Sequence, residues 1–231
     1  MAKSTQNSVG PHNWSAWVGT DEAGKGDYFG SLAVAGVYVD SEMRETLHAL
    51  GVRDGKQLSD PQVRKLAQEM RLRCGENISW SSLEPTQYNR QYTRFRERGR
   101  NLNHLLASLH AEVIRDLVKR VDCRYVLVDR FAKEEVLETE LQVVLNPNIR
   151  LVQMPKAESD IAVAAASIIA RDIFLQELEQ LSNEYHLQLP KGASQVIDAG
   201  KQFVKQHGAK SLCHVAKLHF RTTTDILGNE R

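Results

Sequence analysis

The sequence has few cysteines, no long apolar run and no dominant charge. Its three cysteines, Cys74, Cys123 and Cys213, are far apart and odd in number. That excludes a disulfide framework and a CxxC zinc site. Scattered thiols suit a reducing compartment. No apolar stretch approaches the roughly 18 residues of a membrane span. The polar start, MAKSTQNSVGPHNWS, is no secretory signal. The expectation is a soluble, cytoplasmic protein. A formal net charge of +1 implies no polyanion partner by itself. There are no internal repeats and no low-complexity segments.

Residues 1–13 are polar, with Gly10 and Pro11, and are expected to form a flexible leader to a single domain spanning 14–231. Trp14–Thr20 and Ser31–Val39 read as strands joined by a glycine-rich stretch. Ser41–Leu50 reads as a short helix. Asp60 before Pro61 reads as the N-cap of another. Leu102, Leu105, Leu106, Leu109, Val113, Leu117 and Val121 form one apolar stripe along a helix over Asn101–Val121. His110 lies nearly in line with that stripe and reads as a packing residue. Arg124–Asp129 and Ile149–Gln153 read as strands, with a helix over Glu134–Gln142 between them. Glu158–Ser182 is a long helix whose early AVAAAS run can press close to a sheet. Ser194–His207 is a last helix, capped by Ser194. The order implies an α/β or α+β sheet flanked by helices. Its first pair of strands can be antiparallel, and its later strands parallel.

The stretch VGTDEAGKGDYFG has the spacing of a phosphate-binding loop, Gly19 followed by Gly24-Lys25. A nucleotide loop needs Ser or Thr after the lysine, and Gly26 stands there. Asp21 and Glu22 would also repel a phosphate. The glycines leave bare backbone that a ligand can approach, and Lys25 can reach a phosphate.

Asp21 and Glu22 end one expected strand and Asp129 ends another. Glu158 and Asp160 open the next helix. In an open α/β sheet such strand ends share an edge where sites form. Carboxylates brought together repel, and a hard divalent ion such as Mg²⁺ or Mn²⁺ resolves the conflict. Each acid alone also reads as a solvated turn or a helix cap. Glu158 can simply favour the helix dipole. The residues leave both readings open.

Two segments are basic. Arg90–Arg100 carries five arginines with Tyr92 and Phe95, and reads as a solvated loop or helix face. Lys191–Arg221 sets Lys191, Lys201, Lys205, Lys210, Lys217 and Arg221 against Asp198 alone, which suggests a face for a polyanion.

Taken together, GTDEAGKGDYFG, GVRDGKQLSD, NLNHLLASLH, YVLVDRFA, PKAESDIAVAAASIIARD and LPKGAS resemble ribonuclease HIII, in the family's order and over nearly the whole chain. The resemblance implies a ribonuclease H-like fold, a five-stranded mixed sheet flanked by helices. It implies cleavage of the RNA strand of RNA/DNA hybrids, leaving 5′-phosphate and 3′-hydroxyl ends. It implies two divalent ions, Mg²⁺ or Mn²⁺, held by Asp21, Glu22, Asp129 and Glu158. The spacing from Glu158 to the AAAS run is one residue shorter than the family pattern, so Asp160 stands in reserve. Substrate contacts are implied for Gly24, Lys25, Gly26, Asn101, Asn103, Lys191 and Ser194, near the 2′-hydroxyls that mark RNA. The resemblance implies a monomer with no obligate protein partner.

Departures are visible too. Relatives usually carry an N-terminal domain resembling the TATA-binding protein, for which this chain has only a short leader. Arg130 stands where a polar uncharged residue is expected. The alternative branch, ribonuclease HII, incises at single ribonucleotides using a junction-reading tyrosine. Ala193 and Ser194 occupy the corresponding region here. A hybrid-binding module without catalysis is the non-enzymatic alternative.

Overall fold

The computed structural model describes residues 12–53, 58–129, 139, 149–193 and 195–228. Strand β1 (Trp17–Ala23) runs antiparallel to β2 (Leu32–Val39), and β3 (Ile78–Leu83) pairs antiparallel on the far side of β2. On the other flank β4 (Tyr125–Asp129) lies parallel to β1, and β5 (Arg150–Met154) parallel to β4. The described strands therefore form a five-stranded mixed sheet, ordered β3-β2-β1-β4-β5. A tight link allows the first antiparallel pair, whereas the parallel strands need long crossovers.

The helices are α1 (Ser41–Ala49), α2 (Asp60–Cys74), α3 (Pro85–Glu97), α4 (Leu102–Val118), α5 (Ile161–Glu184), α6 (Ile197–His207) and α7 (Arg221–Leu227). The sheet separates two apolar layers. Trp17, Ala33, Ala35, Val37 and Leu127 point toward α5, whereas Val18, Leu32, Val34, Val126 and Val128 point toward α4. This is the two-residue alternation of a strand buried on both faces. Helix α5 approaches closely, as the AVAAAS run implied, and α4 does the same. A Cβ on Gly19 would lie 2.4 Å from the Val163 backbone nitrogen, and one on Gly36 would lie 2.7 Å from Val113 Cγ1.

Several expectations shift. The cap of α2 is Ser59, in a capping box with Gln62, so Asp60 is the first helical residue. Helix α6 begins at Ile197 with Val196 at its cap position, too late for Ser194 to cap it. The basic Arg90–Arg100 segment is mostly helix α3, with Tyr88 buried and Arg90, Arg94, Arg96 and Arg98 exposed. Strand β3 (ISWSSL) lacks the apolar run that marks the others. Its serines bond flanking helices instead: Ser79 to Asp116, Ser81 to Glu112 and Ser82 to Glu177. In the stretch expected to be a leader, His12 stacks on Trp14 with centroids 3.8 Å apart. Residues 1–11, Arg130, Ser194 and nearly all of the helix expected at Glu134–Gln142 lie outside the described residues. Among the described residues, no helix is long and apolar enough to cross a membrane.

Candidate active site

The sheet places the acids. Val18, Gly19 and Thr20 pair in parallel with Val126, Leu127 and Val128. One step further along, Asp21 and Asp129 stand side by side at the carboxyl end of their strands. Alternation sends both toward α5, and sends Glu22 toward α4. After β5 the chain turns sharply at Lys156, whose φ of 60° is left-handed. It then forms a 3₁₀ turn, Ala157–Ser159, that carries Glu158. The Ala157 N–H donates to Asp129 Oδ1 at 3.2 Å, which ties Glu158's turn to the end of β4.

Asp21 accepts the Glu22 N–H at 2.8 Å. Burial pushes the Asp21 carboxyl up to about 7, and the charges on Glu22 and Asp129 push the same way. Glu22 goes the other way. Burial alone would raise it, but His110 and Lys25 outweigh burial and hold it below the ordinary carboxylate range.

His110 is the site residue that helical periodicity hides. It is fully buried among the apolar residues of α4, as a packing residue would be. Its ring also lies 2.8 Å from Thr20 Oγ1 through Nδ1 and 3.5 Å from Glu22 Oε2 through Nε2. When the Thr20 hydroxyl donates to Nδ1, Nε2–H is left to face Glu22. The signal available in the sequence was a histidine in line with an otherwise apolar stripe. Lys25 Nζ sits 3.4 Å from Glu22 Oε1, so the expected phosphate-reaching lysine also touches an acid.

Asp160 is committed elsewhere. Its Oδ1 accepts from the Ala162 and Val163 amides at 3.0 and 3.2 Å, capping α5, and from Trp17 Nε1 at 2.9 Å. Asp160→Ala is expected to lower stability by about 2–4 kcal/mol, because it removes a cap and strands a buried indole N–H. Glu158→Gln is expected to leave the unfolding midpoint nearly unchanged and to abolish activity. Urea unfolding and an activity assay on both variants separate the two roles. Full activity in the glutamine variant would make Glu158 a bystander.

The glycine stretch splits its tasks. Gly24 has φ +84°, and a Cβ there would lie 2.1 Å from the Ser31 carbonyl oxygen, so the fold itself requires glycine. Gly26 has open space around its Cβ direction and offers bare backbone outward. Asp27 Oδ1 accepts the Gly192 N–H at 2.6 Å, and the Tyr28 N–H donates to the Gly192 carbonyl at 2.8 Å. The LPKGAS segment is thereby brought against the glycine turn. Lys191 itself pairs with Asp60 at the start of α2. Asn101 caps α4 by accepting the Asn103 N–H at 3.0 Å. Because Ser81 bonds Glu112 and Ser79 bonds Asp116, α4 descends as β1 rises. Asn101 and Asn103 therefore lie at the end of the sheet that carries Glu22. Lys217, counted above with a basic face, is wholly buried and is no part of that surface.

Among the described residues, no three His, Cys, Asp or Glu side chains close into a ready-made metal cage. Asp21, Asp129 and the Glu158 turn are nonetheless neighbours; burial, and after it the charges of Glu22 and Asp129, raise Asp21, and a cation would relieve that repulsion. The donors are all hard oxygens, the set that suits Mg²⁺ or Mn²⁺.

A family model described as Ribonuclease HII matches residues 18–223. Ribonuclease HIII of Protochlamydia amoebophila (strain UWE25) is 42% identical over 225 residues, spanning 97% of this chain and 71% of the relative. The chain belongs to the ribonuclease HIII family. Ribonuclease HIII of Chlamydia pneumoniae is 40% identical over 212 residues, covering 90% of this chain and 69% of its own length. In three dimensions the chain is similar to the crystal structure of Bst-RNase HIII in complex with Mn²⁺. The TM-score is 0.79 at 36% identity, with 92% of this chain and 69% of that chain covered. A ribonuclease HIII is a ribonuclease H, and this chain is accordingly a ribonuclease H hydrolase with the fold its motifs implied.

Proposed function

We propose that the chain is an endonuclease that cuts the RNA strand of RNA/DNA hybrids, leaving 5′-phosphate and 3′-hydroxyl ends. Asp21, Glu22, Asp129 and Glu158 would hold two divalent ions. The observation that carries this reading is the side-by-side placement of Asp21 and Asp129, with the Glu158 turn bonded to Asp129. Support for a divalent ion also comes from the similar Bst-RNase HIII, whose crystal structure is a complex with Mn²⁺.

Ions held there would supply Lewis-acid stabilisation of the phosphoryl oxygens and would lower the pKa of a bound water. The chain's own residues do the rest. Asp21 stands beside both Glu22 and Asp129 and would share with them in holding the ions. His110 fixes the orientation of Glu22, as an outer partner of a ligand does. Gly26 presents bare backbone, and Lys25 a cation, to the sugar-phosphate chain. That backbone is where a 2′-hydroxyl distinguishes RNA from DNA.

The test is a labelled hybrid incubated with Mg²⁺ or Mn²⁺, with a chelator as control. It is paired with a DNA duplex that contains one ribonucleotide. Runs of ribonucleotides are expected to be cut efficiently, the lone one poorly, and neither in chelator. Efficient incision at the lone ribonucleotide would move the chain to the ribonuclease HII-like reading. Binding of hybrid without cleavage in either metal would leave a binding module.

A further inference from the structure

We propose that Lys217 is a positioning residue for substrate binding, whose buried side chain holds the turn that presents Lys25 and Gly26. The proposal rests on the substrate reading given above. Lys217 follows the 3₁₀ segment Ala209–His214 and precedes α7, and it is 0% exposed. Its Nζ donates to the carbonyl of Asp27 at 2.8 Å and to that of Gly30 at 2.6 Å, with Phe29 O at 3.5 Å. Its backbone N–H donates to Tyr28 O at 2.9 Å, and the Gly30 N–H donates to Val215 O at 3.0 Å. Phe29 and Ala216 complete an isolated antiparallel bridge. The segment around Lys217 thus lies along the whole second half of the glycine turn.

A lysine is a costly choice for such a place. Taking an ammonium out of water needs compensation, and an apolar side chain of similar length would avoid the penalty. Here the compensation comes from backbone carbonyls: among the described residues, no carboxylate forms an ion pair with Lys217. Burial accordingly brings its pKa down to about 7, against the opposing pull of Asp27 and Glu177. Converging carbonyls with an ammonium between them fix a turn in one conformation.

The first half of the turn is fixed from the other side. The Asp27 N–H donates to Gly24 O at 3.2 Å, while Asp27 Oδ1 accepts from Gly192. Asp27 is therefore held by Lys217 through its carbonyl and by the LPKGAS segment through its carboxylate. Between Gly24 and Asp27 only Lys25 and Gly26 remain outward. Helix α3 secures the clamp itself: Asn89 donates to Cys213 O and Ala216 O and accepts the Leu218 N–H. Ordering a turn before the ligand arrives removes part of the entropy loss that binding would otherwise carry.

The experiment compares Lys217→Met and Asp27→Ala with the wild type in the full chain. Steady-state cleavage of hybrid, amide hydrogen exchange across residues 24–30 and the unfolding midpoint are measured together. K217M is expected to raise KM about tenfold while changing kcat by less than about threefold. Exchange at Asp27, Tyr28 and Gly30 is expected to quicken, with the midpoint unchanged or raised. A purely structural role would lower the midpoint and leave KM alone. A folded K217M with unchanged KM and unchanged exchange overturns the proposal. D27A, which frees only the Gly192 side, serves as the comparison; if K217M does not fold, K217Q decides, and an unchanged KM with unchanged exchange there overturns the proposal equally. If the wild type neither binds nor cuts hybrid, the substrate reading is what has failed. Exchange in K217M then still decides whether the turn is held.

Discussion

Asp129→Asn is expected to lower the cleavage rate by about a thousandfold or more, in a protein that remains folded. The reasoning is geometric before it is electrostatic. Asp129 ends β4 abreast of Asp21, and its Oδ1 accepts the N–H of Ala157. Asparagine keeps an oxygen acceptor for that amide, so the turn carrying Glu158 stays in place. What disappears is one negative charge from the group that would hold the ions. The same loss relieves Asp21, whose carboxyl is pushed up partly by Asp129. In chelator the variant should therefore unfold at the wild-type midpoint or slightly above it. Paired measurements of cleavage in Mn²⁺ and thermal unfolding in chelator check both halves. Retention of a tenth of the activity would remove Asp129 from the ligand set, whatever the midpoint does.

Gly19→Ala is expected to be strongly destabilising for a change of one methyl group. The added Cβ would sit 2.4 Å from the Val163 nitrogen and 2.5 Å from the Ala162 carbonyl carbon. Both are backbone atoms of the first turn of α5, so no side chain can swing away. The helix must move off the sheet or β1 must bend, at about 3–5 kcal/mol. Either adjustment also shifts Ser167, the α5 hydroxyl that bonds Asp21. Activity is thus expected to fall further than stability alone explains. Gly26→Ala is the control: its Cβ meets nothing within 4 Å, and the change is expected to cost less than about 1 kcal/mol. Urea unfolding midpoints for the two variants test the contrast. Equal midpoints would show that α5 yields freely.

Legibility in the sequence followed how local each feature is. The ends of β1 and β4, with Asp21, Glu22 and Asp129, were readable because apolar runs terminate in acids there. Helix α4 was readable because its stripe is long. Strand β3 was not, since its serines satisfy themselves on acids of α4 and α5, partners that only tertiary structure supplies. His110 satisfied the rule for a packing residue and faced Glu22 as well, and periodicity has no way to separate the two. Lys217 looked like surface charge for the opposite reason: composition counts a lysine without knowing that carbonyls surround it. The choice between Glu158 and Asp160 turned on one residue of spacing. Spacing carries no trace of Asp160's contacts, which cap α5 and hold Trp17.

Helix α5 touches much of this arrangement. The turn before it bonds Asp129, its first turn fills the space over Gly19, Ser167 reaches Asp21, and Phe174 lies against Gly24 and Gly30. Many enzymes carry their reactive groups on surface loops that loosen well before the rest of the molecule. Here Asp21 and Asp129 stand on a buried sheet with one rod clamped across it. On warming, activity is therefore expected to be lost with the fold rather than before it.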